Sequence, residues 1–272
     1  RFNGKTVVIT GASRGIGEAC ARKFVSEGAR VVLAARSKEP LDRLAAELGG
    51  AVTEAVPTDI SDVAQSKHLL QQPVSRFGSV DILDNNAGHN VRGDFEHLPL
   101  EEKLHILAEN NRAPMVLTRL ALPTMRSQGS GSVVNVASLA GRFPLDEEAT
   151  YSATKFALRI FSFAVAEELR DSGIRISVVS PGPVDTGFIT DPSVIDEVPP
   201  IVFAQPMSTA DEIADLVLDS AADGARERSK PAFSAKLATL GYLAPGLRKV
   251  LMPLMNRKGA REKKKYLERN RG

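Results

Sequence analysis

Residues 5–35 narrow the possible folds more than any other stretch. Lys5 to Thr10 (KTVVIT) is a short β-branched run, and Gly11 to Gly17 (GASRGIG) is a glycine-rich loop. A helical pattern follows to about Glu27, and Ala29 to Ala35 (ARVVLAA) is a second apolar run. Near-continuous apolar strands suit a sheet covered on both faces. Two such strands joined through a helix must lie parallel, with a right-handed crossover. The stretch therefore predicts a βαβ unit with the glycine loop at its first turn.

The alternation continues along the chain. Residues 51–56, 80–85, 132–137 and 174–180 read as strands, and 40–48, 62–77, 100–111, 114–127, 150–171 and 211–222 as helices. Lys230 to Ser234 reads as a seventh, shorter strand, and the proline-rich segment 181–207 has little regular pattern. The expected fold is α/β: a Rossmann-like, doubly wound parallel sheet of about seven strands with helices on both faces. Ligands in such sheets bind beyond the carboxyl ends of the strands. With 43% apolar residues the chain can bury a core of that size. Cys20 is the only cysteine, which excludes an intramolecular disulfide and a cysteine metal cluster and suits a reducing compartment. His68, His89, His97 and His105 show no ligand spacing, so no metal site is expected. No stretch reaches the length of a membrane span, and the first residues enter a strand almost at once. A cytoplasmic protein without a leader is the expectation.

Three features carry chemistry. The glycine loop has the form Gly-x3-Gly-x-Gly, which lets a pyrophosphate approach a helix N-terminus closely. An acidic residue at the end of strand two would bind the ribose hydroxyls of NAD. Ala34 and Ala35 stand there instead, followed by Arg36, and Arg14 lies within the loop. Two cations and no anion point to NADP(H). The third feature is Tyr151-Ser152-Ala153-Thr154-Lys155. On a helix, residues four apart share a face, so a phenol stands beside an ammonium. The cation is expected to lower the phenol's pKa and let it exchange a proton with a carbonyl or alcohol oxygen.

Together with Asn85-Asn86-Ala87-Gly88, Asn110, Ser138 and Pro181-Gly182, these motifs resemble the short-chain dehydrogenase/reductase family from residue 5 to about 222. The resemblance implies Tyr151 as acid/base, Lys155 as its modulator and ribose ligand, Ser138 as the group holding the substrate oxygen, and Asn110 as part of a proton relay. Asn111 competes for the last role, and counting back from Thr118 and Pro123 favours Asn110. It further implies cofactor contacts from Gly11, Ser13, Arg14, Gly15, Ile16, Gly17 and Arg36. Asp59 and Ile60 would lie at the adenine, and Asn86, Ala87 and Gly88 at the adenosine ribose. Pro181, Gly182, Val184 and Thr186 would lie at the carboxamide and phosphates. The implied activity is NADP(H)-dependent reduction of a ketone or aldehyde, by a homodimer or homotetramer. A cofactor-binding scaffold or redox sensor without turnover, and an epimerase or dehydratase, are the alternatives.

The sequence departs from the family in two places. Asp84 occupies a strand position that is usually aliphatic, where burial should raise its pKa. The usual C-terminal strand is missing. Instead, residues 236–272 form an apolar and then basic extension to a catalytic domain spanning 1–235. Residues 246–272 carry ten Lys/Arg and two Glu, a net +8 in a chain of net +2. Apolar residues beside that charge suit docking at an anionic membrane surface. The weightier alternative is a helix packed on its own domain or on a dimer partner. A small-molecule carbonyl or alcohol substrate, lipophilic compounds included, is the expected partner; nucleic acid is not expected, since no aromatic platform accompanies the charge.

Overall fold

The computed structural model describes residues 1–270; Arg271 and Gly272 lie outside the described residues, as do the side chains of Pro245, Leu247, Arg248, Val250, Leu251 and Asn270. Seven parallel strands form one sheet in the order β3-β2-β1-β4-β5-β6-β7. They are β1 (Thr6–Thr10), β2 (Arg30–Ala35), β3 (Thr53–Pro57), β4 (Ile82–Asn85), β5 (Gly131–Val136), β6 (Ile174–Pro181) and β7 (Glu227–Lys230). The helices are α1 (Gly15–Ser26), α2 (Lys38–Leu48), α3 (Val63–Phe77), α4 (Leu100–Leu107), α5 (Ala113–Gln128), α6 (Ala149–Glu168), α7 (Gly187–Thr190), α8 (Ala210–Asp223), α9 (Ala232–Leu243) and α10 (Pro245–Asn270).

Successive strand residues point to opposite faces, and both faces are apolar. Val7, Ile9, Val31, Leu33 and Val134 pack with α1, α2 and α8. Val8, Val32, Leu83, Val133 and Ile176 pack with α3 and α5 on the other side. The strand order reverses direction between β1 and β4, so their C-terminal loops meet at a crevice. Thr10 fixes that meeting: its hydroxyl accepts the Asn86 and Ala87 N–H groups at 3.1 Å each. Gly11, at φ +68°, lies so close to Ala87 that an added Cβ would be 2.9 Å from the Ala87 Cα.

Three local expectations need correction. The seventh strand is Glu227–Lys230 rather than Lys230–Ser234. It carries no apolar run; Glu227 is instead fixed by ion pairs with Arg142 and Arg159 and by the Ser180 hydroxyl. Pro231 then caps α9. The two helices expected over 100–127 are linked by a π-helical turn, Ala108–Arg112, rather than by a break. Segment 181–207 is more ordered than its prolines imply. It holds α7 and two 3-10 turns, and its Ile189, Ile195, Val198 and Phe203 form a satellite core that Tyr266 and Leu267 of α10 complete.

The extension therefore packs on its own domain. Lys263 Nζ donates to the Asp196 and Val198 carbonyls at 2.9 Å each, and the Tyr266 hydroxyl donates to Asp185 at 3.2 Å. Gly259 is buried against the Pro200 carbonyl with no room for a Cβ. Gly259→Val is therefore expected to lift α10 off this segment, at about 1–3 kcal/mol for overpacking. Denaturant unfolding and limited proteolysis within 187–206 would measure it; unchanged stability and protection would contradict the packing.

Asp84 is wholly buried on β4. The Cys20 thiol of α1 stands beside it, but neither carboxylate oxygen has a hydrogen-bond partner of good geometry among the described residues. Burial pushes its pKa up to about 7. The unfolded chain releases this proton near pH 3.9, so stability falls as pH rises from there through about 7 and then levels, at a cost of roughly 4 kcal/mol. Asp84→Asn is expected to recover most of that cost at about pH 8 and little of it near pH 4. Unfolding curves at both pH values test this; a variant no more stable at the higher pH would refute it.

Candidate active site

One cavity of about 650 Å³ runs along the carboxyl ends of the strands, from Arg36 at one end to Ser138 and Tyr151 near the other. Sequence explains why reactive groups meet there. β5 ends at Val136, and Ser138 caps the following 3-10 turn, its Oγ accepting the Ala140 N–H at 3.1 Å. Helix α6 begins at Ala149 beside it, so Tyr151 and Lys155 face the cavity from its first two turns. Both are buried, and the Ser138 hydroxyl lies close enough to act on the Tyr151 phenol.

Lys155 Nζ donates to the Val136 carbonyl at 3.0 Å and lies 5.7 Å from the centre of the Tyr151 ring. Gly88 closes in from the β4 loop, where an added Cβ would sit 2.9 Å from Asn110 Oδ1 and 3.4 Å from Lys155 Nζ. Asn110, on the π-helical turn, accepts the His89 N–H at 2.9 Å and donates to the His89 carbonyl at 2.8 Å. The widened turn thus directs Asn110, rather than Asn111, at the loop that faces Lys155.

The electrostatics differ from the sequence expectation. Burial raises the Tyr151 phenol's pKa, the Glu148 carboxylate adds to the rise, and the Ser138 hydrogen bond and Arg92 oppose it. Burial also lowers the Lys155 ammonium to about 8, against the pull of Glu109. Desolvation outweighs what opposes it, and the Lys155 ammonium is directed at the Val136 carbonyl. Tyr151 rests as a neutral phenol, which is a proton donor.

At the other end Gly11, Ser13, Arg14, Gly15 and Ile16 line the cavity with Ala34, Ala35 and Arg36. Ile60, Asn86, Ala87 and Gly88 continue the wall, and Pro181, Gly182, Val184 and Thr186 cover the middle. Three expected residues stand back from it. Gly17 lies under the loop, where a Cβ would be 2.3 Å from the Gly11 carbonyl oxygen. Asn110 stands behind Gly88. Asp59 turns into its own bend, accepting the Ser61 N–H and hydroxyl at 2.9 and 2.7 Å, and its neighbours Thr58 and Ile60 face the cavity instead.

The sequence reading missed two groups. Arg92 and Glu148 form a buried ion pair, Nε to Oε1 2.8 Å, on the cavity wall, with the guanidinium 5.6 Å from the centre of the Phe188 ring. No motif marks either residue. The second group comes from the extension: Leu237, Ala238 and Gly241 of α9 and Met252 and Met255 of α10 line the cavity beside Phe143, Phe188 and Val202. The tail's mixture of apolar and charged residues was the available signal, but it did not say which surface the apolar side would meet.

Comparison with known proteins bears on this arrangement. The family model described as short chain dehydrogenase matches residues 5–193. The chain is 42% identical over 193 residues to "Ketoacyl reductase HetN" of Nostoc sp., a match covering 70% of this chain and 67% of that protein. It is 36% identical over 194 residues to "Dehydrogenase/reductase SDR family protein 7-like" of Anopheles gambiae, covering 69% of this chain and 61% of that protein. Among solved structures, a metagenomic short-chain oxidoreductase in complex with NADP superposes with a TM-score of 0.71 at 32% identity, over 84% of this chain and 97% of that one. The chain therefore belongs to the short-chain dehydrogenase/reductase family and is an NAD(P)-dependent oxidoreductase of that kind.

Proposed function

We propose that the protein is an NADP(H)-dependent reductase of ketones or aldehydes carrying a bulky apolar group, with residues 1–235 as the catalytic domain and the extension as a wall of the substrate site. The observation that carries this reading is the buried Tyr151, a neutral phenol beside Ser138 and Lys155 in the cavity that begins at the glycine loop.

The cavity suits NADP(H) on three counts. The N-terminus of α1 lies at the glycine loop, where a pyrophosphate is favoured. Arg36 follows the end of β2, where Ala34 and Ala35 leave no carboxylate to repel a 2′-phosphate, and Arg14 adds a second cation to the cavity wall from the glycine loop. The cavity then continues without interruption to Ser138 and Tyr151. The similar metagenomic oxidoreductase, solved in complex with NADP, agrees with this choice. When bound, the cofactor supplies the hydride.

The protein's own residues supply the rest. Ser138 and Tyr151 donate hydrogen bonds to the substrate oxygen as negative charge grows there, and Tyr151 gives up its proton. Lys155 fixes the ribose and restores the phenol's proton, with Asn110 supporting the Gly88–His89 loop from behind. The Nostoc relative's name, a ketoacyl reductase, fits a carbonyl beside an acyl chain.

The apolar wall sets the substrate class. Lining by Phe143, Phe188, Leu237, Met252 and Met255 favours a hydrocarbon portion over a polar one. Each methylene buried contributes about 0.8 kcal/mol, or roughly fourfold in kcat/KM. A series of 3-ketoacyl thioesters of increasing chain length, assayed by NADPH consumption, is expected to show that rise until the pocket fills. A flat or falling series would contradict an apolar substrate site.

A further inference from the structure

His89, His105 and Glu109 meet on the flank of the cavity, and none of them has a part in the proton transfer described above. His105 lies in the last turn of α4, and Glu109 follows one turn later in the π-helical turn. The spacing of four residues puts both side chains on one face. His89 comes from the β4 loop, its backbone held on both sides by Asn110. Its Nδ1 contacts Glu109 Oε2, and His105 Nε2 stands 3.9 Å from the same oxygen. One donor atom from each residue lies within 4.8 Å of the others. His89 Nε2 is buried and has no hydrogen-bond partner among the described residues.

We propose that these three side chains bind one divalent transition-metal ion of the zinc class beside the cofactor cavity. Zinc holds imidazole and carboxylate donors at about 2.0–2.2 Å, which places neighbouring donor atoms roughly 3.3 Å apart. The trio reaches that spacing by side-chain rotation, chiefly of the half-exposed His105. Two imidazoles and one carboxylate suit zinc, nickel or copper rather than magnesium. Three protein donors leave a fourth position for water. Helix spacing alone did not reveal the trio, because His89 arrives from a separate loop.

The site would couple to the reaction chamber, since Glu109 also lines the cavity and its charge acts on Lys155. Titration of the metal-free full-length protein with Zn²⁺ by calorimetry tests the proposal. Wild type is expected to bind one ion per chain and to ignore Mg²⁺. His105→Gln and His105→Ala, which leave the His89–Glu109 contact in place, are expected to weaken Zn²⁺ binding at least about tenfold. With Co²⁺ as a coloured stand-in, a visible absorption band should appear in wild type and be lost in both variants. No saturable Zn²⁺ binding by wild type, or binding of undiminished strength in the His105 variants, would overturn the assignment.

Discussion

Tyr151→Phe is expected to lower turnover by roughly a hundred- to ten-thousandfold while leaving NADPH affinity nearly unchanged. The substitution removes one oxygen and its proton. The ring keeps its place beside Phe188, 6.0 Å between centroids, and Lys155 keeps its bond to the Val136 carbonyl. Ser138 keeps the Ala140 N–H that orients it. The loss should fall on kcat, because the proton is transferred only in the chemical step. Steady-state NADPH consumption and fluorescence titration of the cofactor measure the two quantities separately. Activity within tenfold of wild type would remove Tyr151 from the role of acid.

Arg36→Asp is expected to carry the second largest effect, on the choice of cofactor. A charge-assisted clamp on the 2′-phosphate contributes roughly 1.5–3 kcal/mol, so kcat/KM with NADPH should fall about ten- to a hundredfold. The new carboxylate repels the phosphate and accepts hydrogen bonds from the unphosphorylated ribose, so efficiency with NADH should rise. Arg14 also lines the cavity, from the glycine loop, and softens the first effect, and Arg14→Ala in the same background should deepen the loss with NADPH. The two substitutions share one ligand group, so their effects should not add. A wild type that already prefers NADH would mean that Arg14 and Arg36 do not read the phosphate.

How far the sequence reaches depends on how local each demand is. The glycine loop and the Tyr151/Lys155 pair are legible because turn geometry and helical spacing are local properties, and the apolar strands show their burial directly. Strand β7 was displaced because its stability comes from Glu227 and its partners rather than from an apolar run. The phenol's pKa was misjudged because spacing shows which charge is near but not how much water is excluded. The extension was the hardest part. Its place is fixed by contacts 65 and 67 residues away in sequence, those of Lys263 with the Val198 and Asp196 carbonyls, and composition cannot reveal them.

The central claim is that this cavity reduces a carbonyl with a hydride from NADPH and a proton from Tyr151. Rapid mixing of the NADPH-loaded protein with a medium-chain 3-ketoacyl thioester tests it most directly, following the reduced-nicotinamide absorption and the alcohol formed. The account predicts one alcohol per NADPH oxidised in a fast single turnover, nearly absent in Tyr151→Phe. Tight NADPH binding without oxidation across the ketone series, or oxidation at the wild-type rate in Tyr151→Phe, would contradict it.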